Sequence, residues 1–181
     1  MSTQTCDVLV AGSGAGAFAA ALTARLSGLD VLMVEKEPVF GGTTCYSAGV
    51  IWIPGNSHAR RAGIADSPED ALTYLRTIAG NHLDIDRATA FCSTAAEMLD
   101  YFERNTYAQF GLAPTWADYE PDLDGGSKGG RSLVPEPFDG RRLGDLFRSL
   151  RPPLATMTLL GGMMIGRNDL PAKDLRELIA L

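Results

Sequence analysis

The sequence predicts an α/β fold that opens with a βαβ unit and continues into a mainly helical, loop-rich region. Three observations carry this prediction. A short aliphatic run, Asp7 to Ala11, ends abruptly in the glycine-rich stretch Gly12 to Ala17, after which small residues, Leu22 and Leu26 recur at helical spacing. A second apolar run, Asp30 to Glu35, follows and finishes on an acid. Beyond it, helix-start signals and one 3.6-residue periodicity precede a long stretch of Gly, Pro, Asp and Arg.

Each element has a local cause. The first run is β-branched and aliphatic, as a strand buried in a parallel sheet should be. Gly28 supplies a helix C-terminus before the second strand. Ser67-Pro68-Glu69-Asp70 combines an N-cap hydroxyl, a proline fit for the first helical position and two acids at the positive end of the dipole, predicting a helix to about Gly80. A further helix is expected from Asp86, with Phe91, Ala95, Met98, Leu99 and Phe102 stacked on one core-facing side. The tract Ala117 to Gly144 exceeds an ordinary connection and is read as an irregular loop that covers a ligand. Thr156 to Ile165 returns to apolar character around Gly161-Gly162, and Pro171 to Leu181 forms an amphipathic tail. The resulting organisation is residues 1–66 as the nucleotide-binding portion, 67–116 helical, 117–144 the loop, and 145–181 the start of a further region with an atypical tail.

Composition limits the function classes. The chain has 181 residues, 45% hydrophobic and 21% charged, which is the range of one globular domain. A net charge of -6 repels polyanions, and the pairs Arg60-Arg61 and Arg141-Arg142 read as solvated loop edges, so nucleic acid is not an expected partner. Cys6, Cys45 and Cys92 are scattered and lack metal or redox spacing, which suits a reducing, cytoplasmic setting and no metal site. No basic leader precedes the apolar start and glycines interrupt it, so neither a signal peptide nor a membrane span is expected.

The chemistry-bearing segment is the first turn. A dinucleotide site requires glycine at the turn, glycine where backbone meets pyrophosphate, and a small residue where helix crosses strand; Gly12, Gly14 and Ala17 meet these demands. Ser13, Ala15 and Gly16 complete the stretch, and the free N–H groups at the helix start face the phosphates. Glu35, followed by Lys36, ends the next strand where a carboxylate accepts both ribose hydroxyls, and an acid there disfavours a 2'-phosphate. This is a Rossmann-like unit. Residues Gly126 to Ser132 lack a G-K-[ST] ending and a preceding strand, so they are not read as a triphosphate loop.

A second glycine-rich segment, Phe40-Gly41-Gly42-Thr43-Thr44-Cys45-Tyr46-Ser47-Ala48-Gly49, is more than a simple NAD domain requires. It resembles the flavin-contacting segment of the fumarate reductase and 3-ketosteroid 1-dehydrogenase flavoprotein superfamily. Ile51-Trp52-Ile53-Pro54-Gly55-Asn56 narrows the resemblance to the ketosteroid branch, and it continues through Asp118-Tyr119, Gly125 to Ser132 and Gly161 to Arg167. The resemblance implies FAD as cofactor, contacted by Gly41, Gly42, Thr43, Thr44, Ser47, Ala48 and Gly49 besides the first turn. It implies hydride transfer from a ketone-activated substrate, such as a ketosteroid, to that flavin, with Tyr119 supporting the proton-abstracting base by hydrogen bonding.

Alternatives stay open. Tyr119 and Trp116 also read as loop aromatics that anchor the glycine-rich tract, and Cys45 as a small buried filler. Members of the superfamily that attach flavin covalently use a histidine beside the segment corresponding to Gly41 to Thr44; His58 and His82 both lie outside it, so the resemblance implies non-covalent flavin. Two other functions are carried: a fumarate-reductase-like enzyme acting on a conjugated acid, and a non-catalytic flavin-binding fragment or subunit. Family members are several times longer, so the resemblance makes this chain a truncated, N-terminal portion with the base expected beyond Leu181 and little dehydrogenase activity of its own. The tail after Pro171 departs from the family pattern, as a truncated reading frame, a cut polypeptide or a short natural subunit would. The apolar run Met157 to Ile165 together with Leu175, Leu178, Ile179 and Leu181 then predicts a partner chain or self-association that completes the fold.

Overall fold

The structure is a computed structural model that describes residues 3–154, 156, 158, 159, 163 and 164. In chain order the elements are β1 (Val8–Ala11), α1 (Ala15–Leu26), β2 (Val31–Val34), β3 (Ile51–Trp52), α2 (Ser57–Arg61), α3 (Pro68–Ala79), α4 (Ile85–Asn105), β4 (Phe110–Leu112), β5 (Ser132–Pro135), β6 (Thr158–Leu159) and β7 (Met163–Met164). They fall into two compact units, Met1–Ala48 with Asp139–Leu181, and Gly49–Phe138.

The first unit contains the predicted βαβ. β1 and β2 pair in parallel, Val8 opposite Val31 through Ala11 opposite Val34, with α1 as the crossover. α1 ends as the sequence demands: Gly28, at φ +85°, donates to Arg25 O at 3.0 Å, and Leu29 N donates to Ala24 O at 3.1 Å. These two bonds are the Schellman pair that satisfies the last carbonyls. In β1 and β2 Val10 alone is buried, while Leu9 on the same strand is 62% exposed. A 3-10 helix at Gly42–Tyr46 follows, and another at Gly140–Ser149 is broken by Gly144 at φ +56°. The chain after it runs beside the start of the second glycine segment, where Phe40 N donates to Ser149 O and Arg151 N donates to Phe40 O, both at 2.8 Å. β6 and β7 form a short antiparallel pair. The rest of the apolar run Met157 to Ile165 and the tail Pro171 to Leu181 lie outside the described residues.

The second unit packs helices on a three-stranded antiparallel sheet of order β3-β5-β4. Ile53, Ala95, Leu99 and Leu133 form its core. α3 begins at Pro68 with Ser67 as N-cap, its hydroxyl accepting from Asp70 N at 3.0 Å, and runs to Ala79. α4 takes Asp84 as its cap. Its buried stripe differs from the expected one, because Ala88, Cys92, Ala95 and Leu99 turn inward while Phe91 and Met98 are each 40% exposed. α3 lies against α4. Phe91 instead stacks on Trp52, with ring planes 9° apart.

The tract Ala117 to Gly144 also differs from an irregular loop. It contains β5, the central strand of the sheet, with Leu133 fully buried. Four residues with one proline carry too little periodicity to be read as a strand, and only pairing on both edges makes them one. Among the described residues no helix is long and apolar enough to cross a membrane.

Candidate functional site

The first unit holds a cavity of about 810 Å³ lined by the β1–α1 turn (Ala11 to Gly14), the end of β2 (Val34 to Glu37), Gly42, Thr43 and Arg151. It lies where ligands bind in parallel α/β sheets, at the carboxyl ends of the strands. Gly12 takes φ +106°, which only glycine adopts freely, and its N–H donates to Val34 O at 2.7 Å, tying the turn to β2. Gly14 caps α1 without a side chain of its own. The two glycine segments touch backbone to backbone: a Cβ on Gly42, at φ +57°, would stand 3.2 Å from Gly14 Cα.

Two hydroxyls fasten this arrangement. Ser13, 2% exposed, donates from Oγ to a Glu35 carboxylate oxygen and accepts from Gly41 N at 2.9 Å. Thr44 Oγ1 accepts from Ala15 N at 3.0 Å, so it occupies the first amide of α1. The Gly16 and Ala17 amides, still in the first turn, have no intrahelical acceptor by helix geometry. Ser47 Oγ donates to Thr44 O at 2.9 Å and closes the second segment on itself.

Charge around the cavity is mixed. The Ser13 hydroxyl, then the Glu37 amide at 3.1 Å, hold the Glu35 carboxyl below the usual glutamate range, so it is an acceptor at neutral pH. Lys36 is exposed and points to Glu37 at 3.9 Å. Arg151 reaches the cavity from more than a hundred residues downstream of Glu35. Its Nη1 donates to Tyr46 Oη at 3.1 Å, its guanidinium lies 5.7 Å from the Tyr46 ring centre, and its buried Nε has no acceptor among the described residues. Nothing in the sequence around Arg151-Pro152-Pro153 marks it as a site residue; only its register with Phe40 brings it here.

Of the expected site residues, Gly12, Ser13, Gly14, Glu35, Lys36, Gly42 and Thr43 line the cavity. Ala15, Gly16, Ala17, Gly41, Thr44, Ser47 and Ala48 belong to the same unit without lining it, and Gly49 and Tyr119 belong to the second unit.

Residues 7–170 match the FAD binding domain family. The chain belongs to that family. It is 44% identical over 161 residues to a 4-oxocyclohex-2-ene-1-carboxylate 5-dehydrogenase of Sinomonas cyclohexanicum, a match over 89% of this chain and 27% of that protein. Among solved structures, a 3-ketosteroid Δ1-dehydrogenase of Sterolibacterium denitrificans in complex with 1,4-androstadiene-3,17-dione superposes with a TM-score of 0.83 at 39% identity, over 91% of this chain and 29% of that one. The open conformation of a flavocytochrome c3 fumarate reductase superposes at 0.58 with 25% identity, over 82% of this chain and 25% of that one. This FAD-binding chain therefore spans less than a third of the length of each relative.

The cavity fits the group that the family binds. Its walls at Gly12, Gly14 and Gly42 are bare backbone, a carboxylate ends β2, and the orphaned Arg151 Nε leaves a cation short of an acceptor. A volume of about 810 Å³ is in the range of cofactor pockets.

Tyr119 is 97% exposed, yet both of its chain neighbours are tied down. Asp118 accepts from Trp52 Nε1 and from Arg131 Nη1, each at 2.7 Å, and from Ser127 N at 2.9 Å. Glu120 N donates to Tyr74 Oη at 3.3 Å. Arg131, 2% exposed, also donates to Asp66 Oδ1 from Nε at 2.9 Å and from Nη2 at 2.7 Å. The glycines of the tract allow tight packing, since a Cβ on Gly129 would collide with the Pro114 carbonyl. His58 pairs with Glu103 at 2.9 Å.

Proposed function

We propose that the cavity of the first unit holds the adenosine diphosphate half of FAD non-covalently, and that the protein carrying this chain desaturates a carbon–carbon bond beside a ring ketone. The observation that carries the reading is the backbone contact of two glycine segments at the start of α1, facing the Glu35 carboxylate at the end of β2. Gly12 and Gly14 leave room for a pyrophosphate close to the backbone, and the first-turn amides with the helix dipole attract it. Glu35, oriented by Ser13, keeps lone pairs for two ribose hydroxyls. Thr43 lines the same cavity, and Gly41, Thr44, Ser47 and Ala48 shape the segment beside it. Neither His58 nor His82 falls in Gly41 to Thr44, and the His58 ring is engaged with Glu103, which supports a non-covalent site.

Bound flavin supplies a two-electron acceptor. This chain contributes Tyr119, a phenol on an exposed position whose neighbours are fixed, able to hold a base by hydrogen bonding. A ring ketone acidifies the adjacent C–H, and both a steroid-binding relative and an oxocyclohexene carboxylate dehydrogenase share that substrate feature. Reduction of a conjugated acid is the second reading, favoured by the likeness to the fumarate reductase.

Gly14→Val tests the cofactor site, because its side chain enters the pyrophosphate path. The variant should lose flavin on gel filtration while keeping its circular dichroism. Flavin retention equal to that of the parent refutes the assignment. Turnover of 3-ketosteroids and 4-oxocyclohexane carboxylates, against fumarate, by the protein carrying this chain separates the two substrate readings.

A further inference from the structure

We propose that Arg151 is a phosphate-binding residue of this cavity and contacts the pyrophosphate of FAD; the inference rests on reading the cavity as the FAD site. Arg151 lines the cavity and is held there from two sides. Its backbone is in register with Phe40, next to Gly41 and Gly42, through Arg151 N to Phe40 O at 2.8 Å. Its side chain donates to Tyr46 Oη at 3.1 Å and rests near the Tyr46 ring. A long side chain fixed at both ends has already lost much of its rotamer freedom, so binding a ligand orders it little further.

Its donors exceed its acceptors. A guanidinium carries five N–H groups, and a single side-chain hydrogen bond is formed among the described residues, with Nε buried and unpaired. Nε is closed to solvent, so the N–H groups left for a ligand are those on Nη1 and Nη2 that Tyr46 does not take.

The electrostatics ask for a cation at this point. Glu35 and Glu37 both line the cavity and would repel a diphosphate, and Lys36 is turned to Glu37. Arg151 feels both acids through space but makes no ion pair with either among the described residues, so its fork is not tied to a carboxylate. The start of α1 offers only a partial positive charge, of order half a unit. The planar fork of an arginine matches phosphate oxygens in pairs. The alternative is that Arg151 merely packs on Tyr46, in which case phosphate content of the ligand is irrelevant.

Binding of FAD, ADP and adenosine to the purified, flavin-stripped polypeptide carrying this chain distinguishes these roles. Arg151→Gln should weaken FAD and ADP about 10- to 100-fold, leave adenosine unchanged and flatten the salt dependence of FAD affinity. Arg151→Lys should recover part of the loss, since charge returns without the fork. Tyr46→Phe keeps the ring, removes the orienting hydroxyl and should lower ADP affinity in the same direction by less, which tests the proposal even if Arg151→Gln fails to fold. Equal loss for ADP and adenosine, or no loss for ADP, overturns the role of Arg151. If Gly14→Val abolishes ADP binding while Arg151→Gln does not, Arg151 fails and the FAD site stands. If Gly14→Val binds ADP as the parent does, the FAD site itself is wrong.

Discussion

Replacing Arg131 with methionine isolates the buried charge cluster of the second unit. The substitution nearly conserves volume and removes the cation that joins Asp66 and Asp118, whose side chains are 2% and 3% exposed. The two acids are not left equally supported. Asp118 keeps Trp52 Nε1 and Ser127 N, whereas Asp66 keeps Gly55 N at 2.7 Å. Removing one partner of a buried ion pair costs about 3–5 kcal/mol, because a desolvated charge is stranded. The guanidinium also lies 5.4 Å from the Trp52 ring centre and 6.0 Å from that of Tyr74, contacts worth about 0.5–2 kcal/mol that a thioether replaces in part. The expected loss is therefore about 3–5 kcal/mol. At a urea slope of about 1–3 kcal/mol per molar, this moves the midpoint by roughly 1 M or more. Both tryptophans, Trp52 and Trp116, lie in the second unit, so tryptophan fluorescence reads this transition selectively. Adding Asp66→Asn to Arg131→Met should recover part of the loss by neutralising the less supported acid. A single variant within about 1 kcal/mol of the parent refutes the reasoning, as it would show that water already pays for these charges.

Three further outcomes follow from the first unit. Gly42→Ala should cost about 1–2 kcal/mol, because φ is +57° and the new Cβ crowds Gly14 Cα at 3.2 Å, whereas Gly14→Ala, at φ −79° with Thr44 Oγ1 at 3.5 Å, should stay within about 0.5 kcal/mol; thermal melts compare the two. The folded Glu35 carboxyl titrates below its usual value of 4.5, so its contribution to stability is present above that value and is lost as pH falls through the lower, folded one. Ser13→Ala removes the main cause, and its stability gap to the parent should be full at pH 7 and shrink below about pH 4.5, read from melts across that range. Leu9, Leu26, Val34 and Phe18, between 37% and 62% exposed, should make the isolated chain bind a hydrophobic dye or self-associate at micromolar concentration, which dye fluorescence and sedimentation test.

The sequence by itself determined the βαβ unit, the helix caps at Ser67 and Gly28, and the residues Gly12, Gly14 and Glu35 of the candidate site. These are local: a glycine turn, an N-cap or a strand-ending acid declares itself within a few residues of its neighbours. Family membership was legible for the same reason, since two glycine segments at a set spacing carry it. Tertiary structure decided what depends on distant partners. β5 is a strand because β3 and β4 flank it, and the inward stripe of α4 is set by the core it shares with Ile53 and Leu133 and by its contact with α3, with Phe91 drawn to Trp52. Ser13 and Thr44 turned out to fasten the glycine segments to one another, a role no single segment could announce. Arg131 gathers Asp66 and Asp118 across 65 and 13 positions, and Arg151 enters the cavity through a bridge to Phe40. Side-chain charge is written in the sequence, but whether it meets water, an acid or an empty cradle is settled only when the chain closes on itself.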